Sequence, residues 1–304
     1  MSLNYKYSAF PFRGKLKWPN DAKIALILTL NLEYWDMIKD TNEPYYAGGP
    51  AVLPDLLPGK IADFPNFTWR EYGLRVGIWR LFECFNEAGV RPSCTINAKT
   101  ALERPQLAKY PDDNNWEIVA HNYEQGELLT NFNGDIQKER EIIESTLKVY
   151  KDFYGRSAKG WLSSSLRGTP NTPQILAENG CIFYCDIMND DQPYLIDTDS
   201  GPIVSTPYTN EINDFTILTR RGHTTDEMRD ILIEELKVLH HEASKNKTGK
   251  MMNVGLHPHV TGRAYRIRAV KEFLDYAKTL DGVWFATREE IAEWYLKNGK
   301  GHIA

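Results

Sequence analysis

The chain has no apolar run long enough to cross a bilayer: the longest near its start, Ile24 to Leu30, is far short of the roughly 20 residues a spanning helix needs. The preceding residues 1–20 carry no apolar signal core, so the chain is read as cytoplasmic. Cysteine is scarce. Four in 304 residues (Cys84, Cys94, Cys181, Cys185) are too few for a disulfide scaffold. Cys181 and Cys185 fall in one strand-like run, where residues four apart stand roughly 13 Å from each other and cannot bond. All four are expected to act as small buried hydrophobes. Positive charge is not in excess either. A net charge of −5 gives no general attraction to phosphate backbones or anionic lipids, so neither nucleic acid nor membrane is an expected partner. Internal repeats, low-complexity tracts and a clear linker are also missing, and one domain over residues 1–304 is the expectation.

What is present is alternation. Short apolar runs alternate with helical patterns, the arrangement of βα units around a largely parallel sheet. Predicted strands are Ile24 to Leu30, Ser93 to Asn97, Glu117 to His121, Lys159 to Ser163, Cys181 to Asp186, Ile203 to Ser205, Met251 to His257 and Val283 to Ala286. Helical spacing covers Tyr72 to Ala88 and Asp135 to Tyr154, each ended by a glycine, Gly89 and Gly155. Thr224 with Glu227, and Thr287 with Glu290, read as capping boxes opening two later helices. Residues 36–66 break the rhythm with five prolines. So long a loop in a compact domain is usually functional or disordered, and after the first strand it would lie over the barrel mouth.

In β/α barrels the chemistry collects where strands run out into loops. The first predicted strand ends in Asn31-Leu32-Glu33, the third in His121-Asn122-Tyr123-Glu124-Gln125, the seventh in His257-Pro258-His259. Each alone reads as a hydrogen-bonded strand terminus. Together, a carboxylate and imidazoles delivered to one rim could move protons or bind a metal. Of the other histidines, His240 and His241 fall on a helix and His302 in a frayed tail.

Tyr72-Gly-Leu-Arg-Val-Gly-Ile-Trp-Arg-Leu-Phe, Trp116-Glu-Ile-Val-Ala-His121, Gly160-Trp161 with Arg167-Gly-Thr-Pro-Asn-Thr172, and Val254-Gly-Leu-His257 with Gly262-Arg263 together resemble the polysaccharide deacetylase superfamily, closest to its cofactor-independent allantoinase-like and cyclic imidase branch. The resemblance implies an incomplete (β/α)7-type barrel and hydrolysis of a non-peptide carbon–nitrogen bond. In the metal-dependent members an aspartate pair and an H-x-x-x-H motif form the metal site. Here Asn31 and Glu33 stand in place of the aspartates and Gln125 in place of the second histidine. If a metal such as zinc binds, Glu33, His121 and Gln125 are its expected ligands; an amide is a poor zinc ligand, so no required cofactor is the favoured expectation.

The expected roles follow. Glu33 binds and activates water with help from His121, and His257 exchanges a proton with the leaving nitrogen, an unperturbed imidazole titrating near pH ~6.5. Arg167 fixes a substrate carbonyl or carboxylate with its planar fork. Asn31 and Gln125 orient an imide or ureide, and Tyr34, Trp35, Tyr123 and His259 complete the substrate pocket. The expected partner is a small molecule, with a homo-oligomer as the expected association. A metal-dependent deacetylase of an N-acetylated sugar or polysaccharide, and a noncatalytic ligand-binding descendant, are the competing readings.

Overall fold

The computed structural model describes residues 4–37, 51–53 and 62–303. Most of the 36–66 loop expected over the mouth therefore lies outside the described residues. The strands are β1 (Ile24–Leu32), β2 (Ser93–Ile96), β3 (Glu117–Ala120), β4 (Gly160–Trp161), β5 (Phe183–Tyr184), β6 (Tyr194–Ile196), β7 (Ile203–Ser205), β8 (Lys250–Leu256) and β9 (Val283–Phe285). They form one sheet in the order β6-β7-β5-β4-β3-β2-β1-β8, with β9 also on β1. Every pairing is parallel except β6 with β7. Among the described residues β8 and β6 do not pair, so the sheet curls into a half-barrel with an open seam. Residues 206–214 run along that seam: the Thr206 N–H donates to Tyr184, Tyr208 to Cys185, and the Gly255 N–H of β8 to Ile212.

The helices are α1 (Phe64–Tyr72), α2 (Ile78–Ala88), α3 (Ala98–Glu103), α4 (Pro105–Asp113), α5 (Ile136–Tyr154), α6 (Thr172–Glu178), α7 (Thr225–Asn246), α8 (Ile267–Thr279) and α9 (Arg288–Asn298). Gly89 and Gly155 end α2 and α5 in left-handed conformations (φ 63 and 69), which a glycine adopts without a Cβ penalty. Both expected capping boxes form, at Thr224 and at Thr287. No helix among the described residues is long and apolar enough to cross a membrane.

Period two along β1 explains both the core and the site. Ile24, Leu26, Leu28, Leu30 and Leu32 face outward into the core shared with the helices. Ala25 and Ile27 face the barrel interior with Val119, Phe183, Val204, Met251 and Ile291. The same inward row then turns polar, through Thr29 and Asn31 to Glu33, as it nears the mouth. At the change of polarity the buried Arg288 donates to Asn253 Oδ1 (2.6 Å) and to the Thr206 carbonyl (2.6 Å), so this guanidinium is held by neutral oxygens below the cleft.

Several expectations need correction. The β4 and β5 pairings cover only two residues each, although single backbone hydrogen bonds continue beside them, from the Leu162 N–H to Ala120 and from the Ile182 N–H to Lys159. The three-residue β6, closed between Pro193 and Asp197, is too short for a readable period. The helical stretch expected from Tyr72 begins earlier, at Phe64, and passes through a π-helical segment, Gly73–Gly77, before α2. His302 does not fray: it is buried, bonded to the Tyr295 hydroxyl (2.9 Å) and to Gln192 Oε1 (3.1 Å), because the tail folds back over the foot of the barrel. All four cysteines are buried and free.

Candidate active site

Asn31 and Glu33, at the mouth end of β1, have different jobs. The Asn31 amide donates to the Leu256 carbonyl (3.1 Å) and to the Tyr208 hydroxyl (3.4 Å), and its oxygen accepts from Thr95 (2.6 Å). With both donors committed, Asn31 ties β1 to β2, β8 and the seam segment; one acceptor site is left for a ligand. Glu33 accepts from the Trp35 indole (3.2 Å) and its other oxygen stands 3.5 Å from His257 Nε2.

On its far side His257 meets Asp214. The Nδ1–H lies 2.7 Å from Asp214 Oδ1, while Oδ2 accepts from the His257 backbone N–H (2.7 Å) and from the Thr261 hydroxyl. Asp214 is fully buried. Burial alone would strip the charge from His257, but Asp214 and then Glu33 outweigh it and raise its pKa from 6.5 to about 10. Burial likewise opposes the Glu33 charge, and His257 outweighs it, bringing the carboxyl down to about 2. At neutral pH the site holds a carboxylate–imidazolium–carboxylate chain rather than the imidazole titrating near pH ~6.5 expected from the sequence.

Two neutral imidazoles flank it. His121 Nδ1 donates to the Leu162 carbonyl (2.5 Å), which leaves Nε2 as the lone-pair nitrogen. That Nε2 is buried with no hydrogen-bond partner of normal geometry, and burial lowers its pKa. His259 is also buried, with an unpartnered Nε2 and an edge-on contact to Trp69 at 4.8 Å. Burial and then the charge of His257 depress it to about 3.

These groups share a cleft lined also by Trp35, Gln125, Leu162, Ser165, Tyr208, Asn210, Asn213, Phe215 and Arg220. It encloses about 80 Å³. A single water needs ~10–15 Å³ by the same measure, so a small ligand and its water fit. Of the expected site residues, Asn31, Glu33, Trp35, His121, Gln125, His257 and His259 converge here. Tyr34 and Tyr123 do not line the cleft. Alternation turns Tyr34 away from Glu33 and Trp35, toward Lys99 at 5.1 Å, and Tyr123 packs on the core. Arg167 is exposed and also off the cleft, because the chain turns through left-handed conformations at Ser165 and Leu166 (φ 55 and 58) just before it. Among the described residues, the cation that lines the cleft is Arg220.

Sequence reasoning missed Asp214 and its neighbours, which arrive on residues 207–220 outside any strand. The only signal was a polar cluster, Asn210, Asn213 and Asp214, ahead of the apolar run from Phe215 to Leu218.

The metal implied by the resemblance would meet a poor donor set here. Glu33 is engaged by an imidazolium, Gln125 offers an amide whose oxygen accepts from Ser164 (3.0 Å), and His121 is the one remaining imidazole of the expected ligands. Among the described residues no group of three His, Cys, Asp or Glu side chains is arranged to hold an ion. The residues do not fit a tightly held zinc.

No family model matches the chain. A Schizosaccharomyces pombe protein named "Putative polysaccharide deacetylase" is 26% identical over 313 residues, covering 92% of this chain and 93% of that protein. The crystal structure of a "probable polysaccharide deacetylase" from Pseudomonas aeruginosa PAO1 is 28% identical, with a TM-score of 0.79 over 92% of this chain and 94% of the other. That of PuuE allantoinase is 27% identical, with a TM-score of 0.80 over 92% and 93%. The chain has the polysaccharide deacetylase fold, and these likenesses support its membership of that superfamily.

Proposed function

We propose that this chain is a hydrolase that opens a non-peptide carbon–nitrogen bond in a small cyclic amide, imide or ureide, using its own side chains without a metal. The superfamily likenesses, an allantoinase among them, support the bond class. The narrower reading rests on one observation: the charged Glu33–His257–Asp214 chain beside His121 Nε2, which is buried with no hydrogen-bond partner of normal geometry.

Amide hydrolysis needs a proton acceptor for water, stabilisation of the tetrahedral oxyanion and a proton donor for nitrogen. A carboxylate held at about 2 accepts protons poorly, so Glu33 orients the water by hydrogen bonding rather than deprotonating it. His121 Nε2 takes the water proton as the oxygen adds to the carbonyl carbon and the C=O electron pair moves to oxygen. As that pair returns, the C–N bond breaks and the nitrogen takes a proton from His257 Nε2. Proton exchange with solvent then resets both imidazoles. Asp214 keeps His257 charged and aimed. On this reading the chain works on a soluble substrate in the cytoplasm.

The relatives' printed names favour a second reading, deacetylation of a sugar polymer. A panel of cyclic imides, ureides and N-acetyl sugars, assayed with the metal content of the protein measured, separates the two. Turnover of a ring substrate supports the proposal; turnover of N-acetyl sugars alone, dependent on added zinc, overturns it.

A further inference from the structure

At the inner end of the cleft the lining carboxylate among the described residues is Glu33, paired with the imidazolium that the buried Asp214 holds from behind. The rim is different. Arg220, Asn210 and Ser165 all line the cleft, and among the described residues none of the three side chains has a hydrogen bond or ion pair within the protein. Three other cations near the mouth are engaged. Lys99 bridges Asp36 (2.9 Å) and Glu124 (3.0 Å), Arg70 lies over Trp35 at 4.6 Å, and Arg263 stacks on Tyr72 at 3.6 Å.

Arg220 is not loose. Its guanidinium sits 5.0 Å over the Phe215 ring, and that ring stands 6.3 Å from the ring of His257. One aromatic side chain thus stands between this exposed cation and the proton donor, within the length of a small molecule. Stacking leaves the planar N–H edge free for a bidentate acceptor.

We infer that Arg220, with Asn210 and Ser165, receives a carboxylate carried by the substrate, so that the chain selects cyclic amides bearing an acidic arm over neutral ones. This rests on the ring-opening function proposed above. The charges fix the orientation: the arm is repelled by Glu33 and drawn to the rim, and the ring is left over His121 and His257. The Arg220 contacts persist unchanged through the reaction, so they lower KM rather than raise kcat.

The test uses one pair of cyclic imides, identical except for a carboxylate arm, with the wild-type chain, Arg220→Met and Arg220→Lys. Both dissociation constants and turnover are measured. Wild type should bind the acidic imide ~10-fold or more tighter than the neutral one, the worth of a charge-assisted hydrogen bond. Arg220→Met should lose that preference, through KM, the acidic imide weakening ~10-fold or more beyond any change in the neutral one. Arg220→Lys should recover only part, since it keeps the charge without the fork. Equal wild-type binding of the two imides, or an equal loss on both in Arg220→Met, overturns the inference. If the acidic imide binds selectively through Arg220 but neither imide turns over, the subsite stands and the hydrolase reading falls.

Discussion

His257 Nδ1 lies 2.7 Å from Asp214 Oδ1, on a carboxylate to which solvent has no access. A buried carboxylate that also accepts the backbone N–H of the same histidine fixes the ring's position as well as its charge. The opposite ring nitrogen faces Glu33, so each ring N–H of the imidazolium points at its own carboxylate, in a line of three side chains from three separate parts of the sequence.

The first prediction concerns stability. His257 has a folded pKa raised from 6.5 to about 10, so the folded chain binds this proton more tightly than the unfolded chain. Its contribution is complete below pH 6.5 and is lost as pH rises toward 10. Urea midpoints of the wild type and His257→Gln should therefore converge across that window. A gap that stays constant or widens with pH would show that His257 is not held charged.

Asp214→Asn removes the charge but keeps the shape. The alkaline limb of the wild-type rate profile is expected near pH 10, where His257 loses its proton, and the acid limb below the usual histidine range, where His121 gains one. In the variant the alkaline limb should move toward pH 6.5 and kcat should fall by ~10²–10⁴, as when the orienting acid of a catalytic histidine is neutralised. An unmoved limb would remove Asp214 from the mechanism.

The π-helical segment is pressed onto the loop that carries His257 and His259. A Cβ on Gly77 would meet the Pro258 carbonyl and approach Gly262, and one on Gly73 would meet the backbone of His259. Gly77→Ala should destabilise the fold by about 1–3 kcal/mol, as overpacking does, and lower activity by shifting the His257 loop. Wild-type stability and rate in this variant would contradict the contact.

How much of this was legible in the sequence follows from where each residue sits. β1, β2, β3 and β8 have clear apolar runs, so Asn31, Glu33, His121 and His257 could be placed at strand ends before any coordinates. Trp35, Gln125 and His259 followed by proximity along the chain. Asp214 and Arg220 could not be placed this way. They reach the site because the sheet stays open between β6 and β8 and residues 206–214 fill the seam, a closure that depends on three-dimensional curvature and leaves no period. Arg167, expected in the site from its nearness to a strand end, lies off the cleft; the two left-handed residues just before it leave no trace in the hydrophobic period. The charge of His257 was equally hidden, since it depends on a carboxylate 43 positions upstream.

On the proposed function, these side chains break a carbon–nitrogen bond without a metal. The most direct measurement is turnover of a cyclic imide or ureide by protein stripped with chelator and verified to hold far less than one metal per chain, with Glu33→Gln measured beside it. The stripped wild type should keep an undiminished rate, and the folded variant should lose ~10²–10⁴. A stripped protein that falls silent and regains its rate on adding zinc would contradict the proposed function.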